Sequence, residues 1–221
     1  MKVQDVKQSG TCGNTVSVNS RYGVVRRRRP IPSKRRTNDQ VRVRTVLGGT
    51  PARWRNLTDE QRDAWRASGL NTPSHPSLGQ SGPISGYALF VKINCALAAA
   101  GVPCLTLPPK PAKFRPNPVG KLTITNRNGE ITLQLSVPTP AAELTIVRAS
   151  PPCSVGRSVT CTYAIIGLLP PALDGLSDIT DLYVKAFGKP PVSSRVFIRT
   201  RQVIDGWEDD PVQTTAIVPG P

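Results

Sequence analysis

Apolar and polar positions follow three different rhythms along the chain, and each predicts a different kind of element. Near the N-terminus, ThrValSerVal at 15–18 alternates and TyrGlyValVal at 22–25 is β-prone, with Asn19-Ser20 between them as a turn. Two readings stay open there: a small hairpin that needs a partner surface, or a tail that merely has strand-like composition. From Thr37 the period lengthens. ThrAsnAspGlnValArgValArgThrValLeu offers an N-cap and an early acid, Asp39, and predicts a short helix over about 38–47, ended by Gly48-Gly49.

Two further helices are better marked. Thr58 with Gln61 three residues later is a capping box, Leu57 precedes it, and Gly69 is the expected terminator. Trp54 and Trp65 are expected to brace one another or the next helix rather than to stack on bases. Ser85 caps a second run to about residue 100, in which Tyr87, Leu89, Phe90, Ile93 and Leu97 form an apolar face and Lys92 and Asn94 lie toward the polar side. Six prolines between 103 and 118 then predict an extended, semi-rigid linker and a domain boundary.

Beyond the linker the period drops to two. LeuThrIleThr at 122–125 and IleThrLeuGlnLeuSerVal at 131–137 flank Asn128-Gly129, a type I′ hairpin signal. Strand-like runs follow near 143–149, 159–166, 178–187, 195–204 and 213–218. This rhythm predicts an antiparallel sandwich. In the 195–204 run, Val196, Ile198, Thr200, Gln202 and Ile204 share one face, and Arg195, Arg199 and Arg201 fall on the other with Phe197 and Val203. The fold class is therefore α+β: a basic extended arm over 1–36, a helical module over 37–102, the linker over 103–118 and the sandwich over 119–221.

Charge changes this picture most. The chain of 221 residues carries a formal charge of +15, and +11 of it is in place by Arg66, whereas residues 117–221 are neutral. The run RYGVVRRRRPIPSKRR holds Arg21, Arg26, Arg27, Arg28, Arg29, Lys34, Arg35 and Arg36 and no acid, and Pro30 and Pro32 keep it from closing into a helix. Such a run meets water or an anion. These eight residues, extended by Arg42 and Arg44, are the candidate contacts for nucleic acid or an acidic partner, because the planar guanidinium fork holds two phosphate oxygens at once.

Other chemistries find little purchase. There is no phosphate-binding glycine loop and no nucleophile elbow, and His75, the sole histidine, has no cysteine beside it. Glu208-Asp209-Asp210 reads as a solvated turn rather than a cation site. The expectation is a non-enzyme with no cofactor, no bound metal and no small-molecule substrate. The five cysteines form no CxxC pair and read as thiols, with a Cys153–Cys161 bridge as the alternative. MKVQDVKQSG has no apolar run of the signal-peptide kind, and no stretch reaches the roughly 18 apolar residues of a membrane span.

Two resemblances add to this. GlyAsnThrVal at 13–16, ArgTyrGly at 21–23, the basic run, TrpArgAsnLeuThrAspGluGlnArgAspAlaTrp at 54–65 and SerGlyTyrAlaLeuPheValLysIleAsn at 85–94 together resemble an uncharacterised group of bacterial and phage-associated proteins. That resemblance implies a virion component, assembled in a host cytoplasm, whose partners are other copies of itself or other virion proteins. It brings no catalytic residues. The late run ArgValPheIleArgThrArgGlnValIleAspGlyTrp, followed by GlnThrThrAlaIleValPro, resembles the last strands of a fibronectin type III domain. Rival readings are a cellular, non-sequence-specific nucleic-acid binder and a surface or adhesion protein built on the sandwich.

Overall fold

The computed structural model describes residues 9–20, 23–31, 38–74, 82–141, 144–160 and 162–220. The chain divides into two compact units, Met1–Asn38 and Asp39–Pro221.

The first unit holds a three-stranded antiparallel meander. Strands β1 (Gly10–Cys12), β2 (Thr15–Ser20) and β3 (Gly23–Arg28) lie in the order β1-β2-β3. Gly13, at φ +56°, makes the first turn, and Arg29 N–H closes the far end on the Asn14 carbonyl at 2.7 Å. A hairpin forms, but the turn expected at Asn19-Ser20 is overturned: both are paired strand residues, opposite Val24 and Gly23, and the sequence reading also missed the third strand. Residues 23–28, expected within an extended arm, are thus a paired strand. Among the described residues of this unit only Val24 is a buried apolar side chain.

The second unit begins with three helices, α1 (Asn38–Arg55), α2 (Asp59–Leu70) and α3 (Gly86–Ala99). The expected stop at Gly48-Gly49 is overturned: α1 runs over both glycines and Pro51. The two glycines cost about 1 kcal/mol each relative to alanine. Proline removes one backbone donor; one turn back, the Thr50 hydroxyl donates to the Val46 carbonyl at 2.9 Å. Trp54, near the helix end, packs on Phe90 and Tyr87 with ring centroids 5.3 and 5.6 Å away. Tertiary packing of this kind outweighs local propensity.

The capping box at Thr58 and Gln61 forms as read, with bonds of 3.0 and 3.2 Å. Gly69 is not a terminator. It sits inside α2, and a Cβ there would lie 2.6 Å from the Ile84 carbonyl oxygen, while a Cβ on Gly86 would lie 2.7 Å from Arg66 Cα. The two glycines let the end of α2 and the start of α3 touch backbone to backbone. Leu57, Trp65, Leu89, Phe90, Ile93 and Leu97 fill the core between the helices. Asn94, assigned to the polar side, is instead buried: its amide donates to the Phe90 and Leu105 carbonyls and accepts from Leu105 N–H at 2.7 Å. A buried amide is tolerable because its hydrogen bonds are met.

Residues 103–118 contain neither helix nor strand. They are tied down on both sides: Trp65 Nε1–H donates to the Thr106 carbonyl at 2.8 Å, and Gln202 Nε2–H to the Arg115 carbonyl at 3.0 Å. The compact unit that starts at Asp39 runs through this segment to the C-terminus.

Two antiparallel sheets follow. One joins β4 (Leu122–Arg127), β5 (Glu130–Ser136) and β9 (Leu176–Asp178) in the order β4-β5-β9. Asn128 and Gly129 both take positive φ (53° and 87°), as the type I′ reading requires. The other sheet centres on β10 (Ser194–Ile204). On one side β10 pairs with β6 (Leu144–Ala149) and β7 (Cys153–Ser154), and β6 pairs in turn with β8 (Ala164–Leu168). Strand β10 also pairs with β11 (Trp207–Glu208) and β12 (Val212–Ile217). Leu122, Leu133 and Leu135 of the first sheet share one core with Val147, Val196 and Ile198 of the second.

The run 178–187, expected as a strand, is overturned: Thr180–Phe187 is a helix, α4. Ile179, Tyr183 and Phe187 recur every four residues and face the same core, a helical spacing that the β-prone composition masked. The Tyr183 hydroxyl donates to the Ser150 carbonyl at 3.1 Å. The whole is α+β, as read.

Candidate polyanion interface

The consecutive arginines of the basic run begin on β3, whose only strand neighbour among the described residues is β2. Alternation puts Val24, Arg26 and Arg28 on one face of the meander and Val25 and Arg27 on the other. Arg26 is half-buried; Arg27, Arg28 and, just past the strand, Arg29 are exposed. Their cross-strand partners are Ser17 for Arg26, Val16 for Arg27 and Thr15 for Arg28. The residues across from Arg27 and Arg28 are uncharged, and the sequence holds no acid from Gln8 to Asn38. Adjacent like charges on a strand repel, at a cost that salt screens and a polyanion removes.

Arg21, Lys34, Arg35 and Arg36 lie outside the described residues, so the structure brings together only Arg26–Arg29 of the proposed set. Arg42 and Arg44 are both exposed on α1. Two residues apart on a helix is a turn of about 200°, so they point to opposite sides and cannot extend one basic face.

The other candidates resolve into ordinary contacts. Glu208 pairs with Arg201 at 2.6 Å and with Arg148 at 3.7 Å. Asp209 accepts from Gln202 N–H at 2.7 Å and from its amide at 3.0 Å, and burial pushes its carboxyl above the usual range. Among the described residues no group of three His, Cys, Asp or Glu is placed to hold a metal ion, and no helix is long and apolar enough to cross a membrane. Cys153 is a free thiol, and Cys161 and His75 lie outside the described residues.

The sequence reading put Arg195, Arg199 and Arg201 on one face of the 195–204 run but made no site of them, and it missed Arg148. Residues 117–221 sum to zero, yet Arg148, Arg195, Arg199 and Arg201 share one face of the six-stranded sheet. The signal was present in the odd positions of β10; Arg148 joins them only through strand pairing, which the sequence does not display. Compared with protein-family models, curated proteins and solved structures, the chain matches none.

Proposed function

We propose that this protein is a structural component of a phage-like virion whose basic N-terminal segment contacts packaged nucleic acid or an acidic neighbouring subunit. The observation that carries the reading is the run of four arginines, Arg26–Arg29, at the end of β3: Arg27, Arg28 and Arg29 are exposed, and Val16 and Thr15 stand across from Arg27 and Arg28. Its contacts are sequence-independent, made to phosphate rather than to base edges. The C-terminal unit supports the scaffold half of the reading. Two antiparallel sheets over a shared core make a sandwich-like body, with the fibronectin type III likeness as its proposed finer description and α4 as an addition to that pattern.

The test is binding of the full chain to duplex DNA across a salt series. Replacing Arg26–Arg29 with Gln is expected to lower the slope of log affinity against log salt by about three to four, at roughly 0.9 for each phosphate no longer neutralised. The protein should also co-purify with particles at fixed stoichiometry. An unchanged slope, together with unchanged incorporation into particles, removes the basic strand from the function. Salt-sensitive binding without particle association favours the cellular nucleic-acid binder instead.

A further inference from the structure

The outer face of the six-stranded sheet is divided in two. At one end the last turn of α3 covers it: Ala99, Ala100 and Val102 pack on Ile146 and Val203, which are almost wholly buried. At the other end the same face turns to arginine. Arg199 and Arg148 are direct cross-strand partners, and Arg201 is the next residue of β10 on that face. Direct partners have Cβ atoms about 5 Å apart, so two like charges stand where an opposite pair would stabilise. The single carboxylate paired with them among the described residues is Glu208, which bridges Arg148 and Arg201.

Three guanidiniums share one paired carboxylate, with Asp209 also within electrostatic reach of Arg201, so the half-buried patch keeps a positive excess. The side chains of Arg148 and Arg201 keep 32% and 27% of their surface in water, so the patch is reachable. Arg199 is held in place: its guanidinium stacks over the Tyr163 ring, 4.2 Å from the centroid, and donates to Gln213 Oε1 at 3.1 Å. The buried Nε–H groups of Arg148 and Arg199 make no hydrogen bond. Burial, and then the neighbouring Arg201 and Arg199, lower the Arg148 pKa against the pull of Glu208.

We propose that Arg148, Arg199 and Arg201 form a binding site for a phosphate group, free or carried on a nucleotide. A phosphate group has a charge near −2 and three acceptor oxygens, which suits a positive patch of three guanidiniums better than a single carboxylate does. The fork geometry of arginine suits such an oxyanion. This site lies in the neutral half of the chain and does not depend on the virion reading.

The test is calorimetric titration of the full chain with inorganic phosphate at constant ionic strength. One phosphate is expected to bind per chain. Arg199→Gln and Arg148→Gln should each weaken binding about tenfold or more. Replacing Arg27 and Arg28 with Gln should leave it within about twofold, which separates the site from the basic strand. If Arg199→Gln does not fold, as judged by its melting curve, Arg199→Lys keeps the charge and loses the fork, and is expected to bind several-fold more weakly. A second arm compares a short oligonucleotide with and without a 5′-phosphate: tighter binding of the phosphorylated form, lost in Arg199→Gln, identifies the carried group as the source, whereas binding of inorganic phosphate alone identifies the free ion. The proposal is overturned by no saturation at millimolar phosphate, by affinity that none of these sheet-face substitutions moves, or by Arg199-dependent binding of polyglutamate but not phosphate.

Discussion

The chain presents arginine on two sheets, and the two sheets treat it differently. On β3, Arg27 and Arg28 stand in water with uncharged residues across from them, on a meander whose one buried apolar side chain among the described residues is Val24. On β10, Arg199 and Arg201 lie against Tyr163, Gln213 and Glu208, on a sheet that shares a core of more than a dozen buried residues with its partner sheet and α4. The difference lies in support rather than in charge. An arginine on an unsupported edge keeps its rotamer freedom and can meet any anion at any angle. Arginines fixed by a ring and an amide, as Arg199 is, or by a carboxylate, as Arg201 is, have already lost that freedom, and they can favour an anion of one size.

The comparison rests on the second unit being held by its core, and the largest effect should come from removing part of that support. Trp65 is fully buried, meets Phe90 edge-on at 5.3 Å and donates its indole N–H to the Thr106 carbonyl. Trp65→Ala is expected to cost about 3–5 kcal/mol, read as a lower midpoint in urea unfolding of the full chain. Trp65→Phe keeps most of the packing and loses the hydrogen bond, so it should cost less. Equal midpoints for wild type and Trp65→Ala would mean that the helical core does not support the rest of the unit.

Much of this support was legible in the sequence, and the parts that were not share a cause. Thr58–Gln61, Ser85 and Asn128-Gly129 announce themselves because a cap or a tight turn is decided by residues within reach of one another. Gly69 misled because a glycine that ends a helix and one that admits a neighbouring backbone look alike until the neighbour, Ile84, is in place. Asn94 misled because its partner Leu105 is eleven residues away. Gly48-Gly49 misled because Trp54, beyond them, holds the helix together through contacts on α3. The arginine run of the candidate interface was plain from composition alone. The grouping of Arg148 with Arg199 was not, since only strand register makes them neighbours.

A middle-sized effect should come from Glu208, the carboxylate that pairs with the arginine face. Glu208→Gln removes the partner of both Arg201 and Arg148 and leaves three guanidiniums together. Because all three side chains are partly solvated, the expected loss is modest, about 1–2 kcal/mol at low ionic strength. The loss should shrink as salt rises and repulsion is screened. Thermal melts of the variant at low and high sodium chloride measure this. A salt-independent difference from wild type would make Glu208 a packing residue and weaken the contrast between the two arginine sets.

The smallest effect on stability should come from the basic strand itself, and that is where the contrast is sharpest. Arg27 and Arg28 are exposed, and their cross-strand partners are Val16 and Thr15, so replacing both with Gln removes repulsion and breaks no cross-strand ion pair. Substitutions of this kind usually stay within about 0.5 kcal/mol, and here relief of repulsion sets the sign toward stabilisation. The same double variant should lower the salt slope of DNA binding by about two. Large functional loss with no loss of fold is what an unsupported basic strand predicts; on β10 the two are coupled, because the groups that position Arg199 and Arg201 also hold the sheet. The pair of measurements, a melting midpoint and a salt slope on one variant, therefore separates an arginine kept for its charge from one kept for its place.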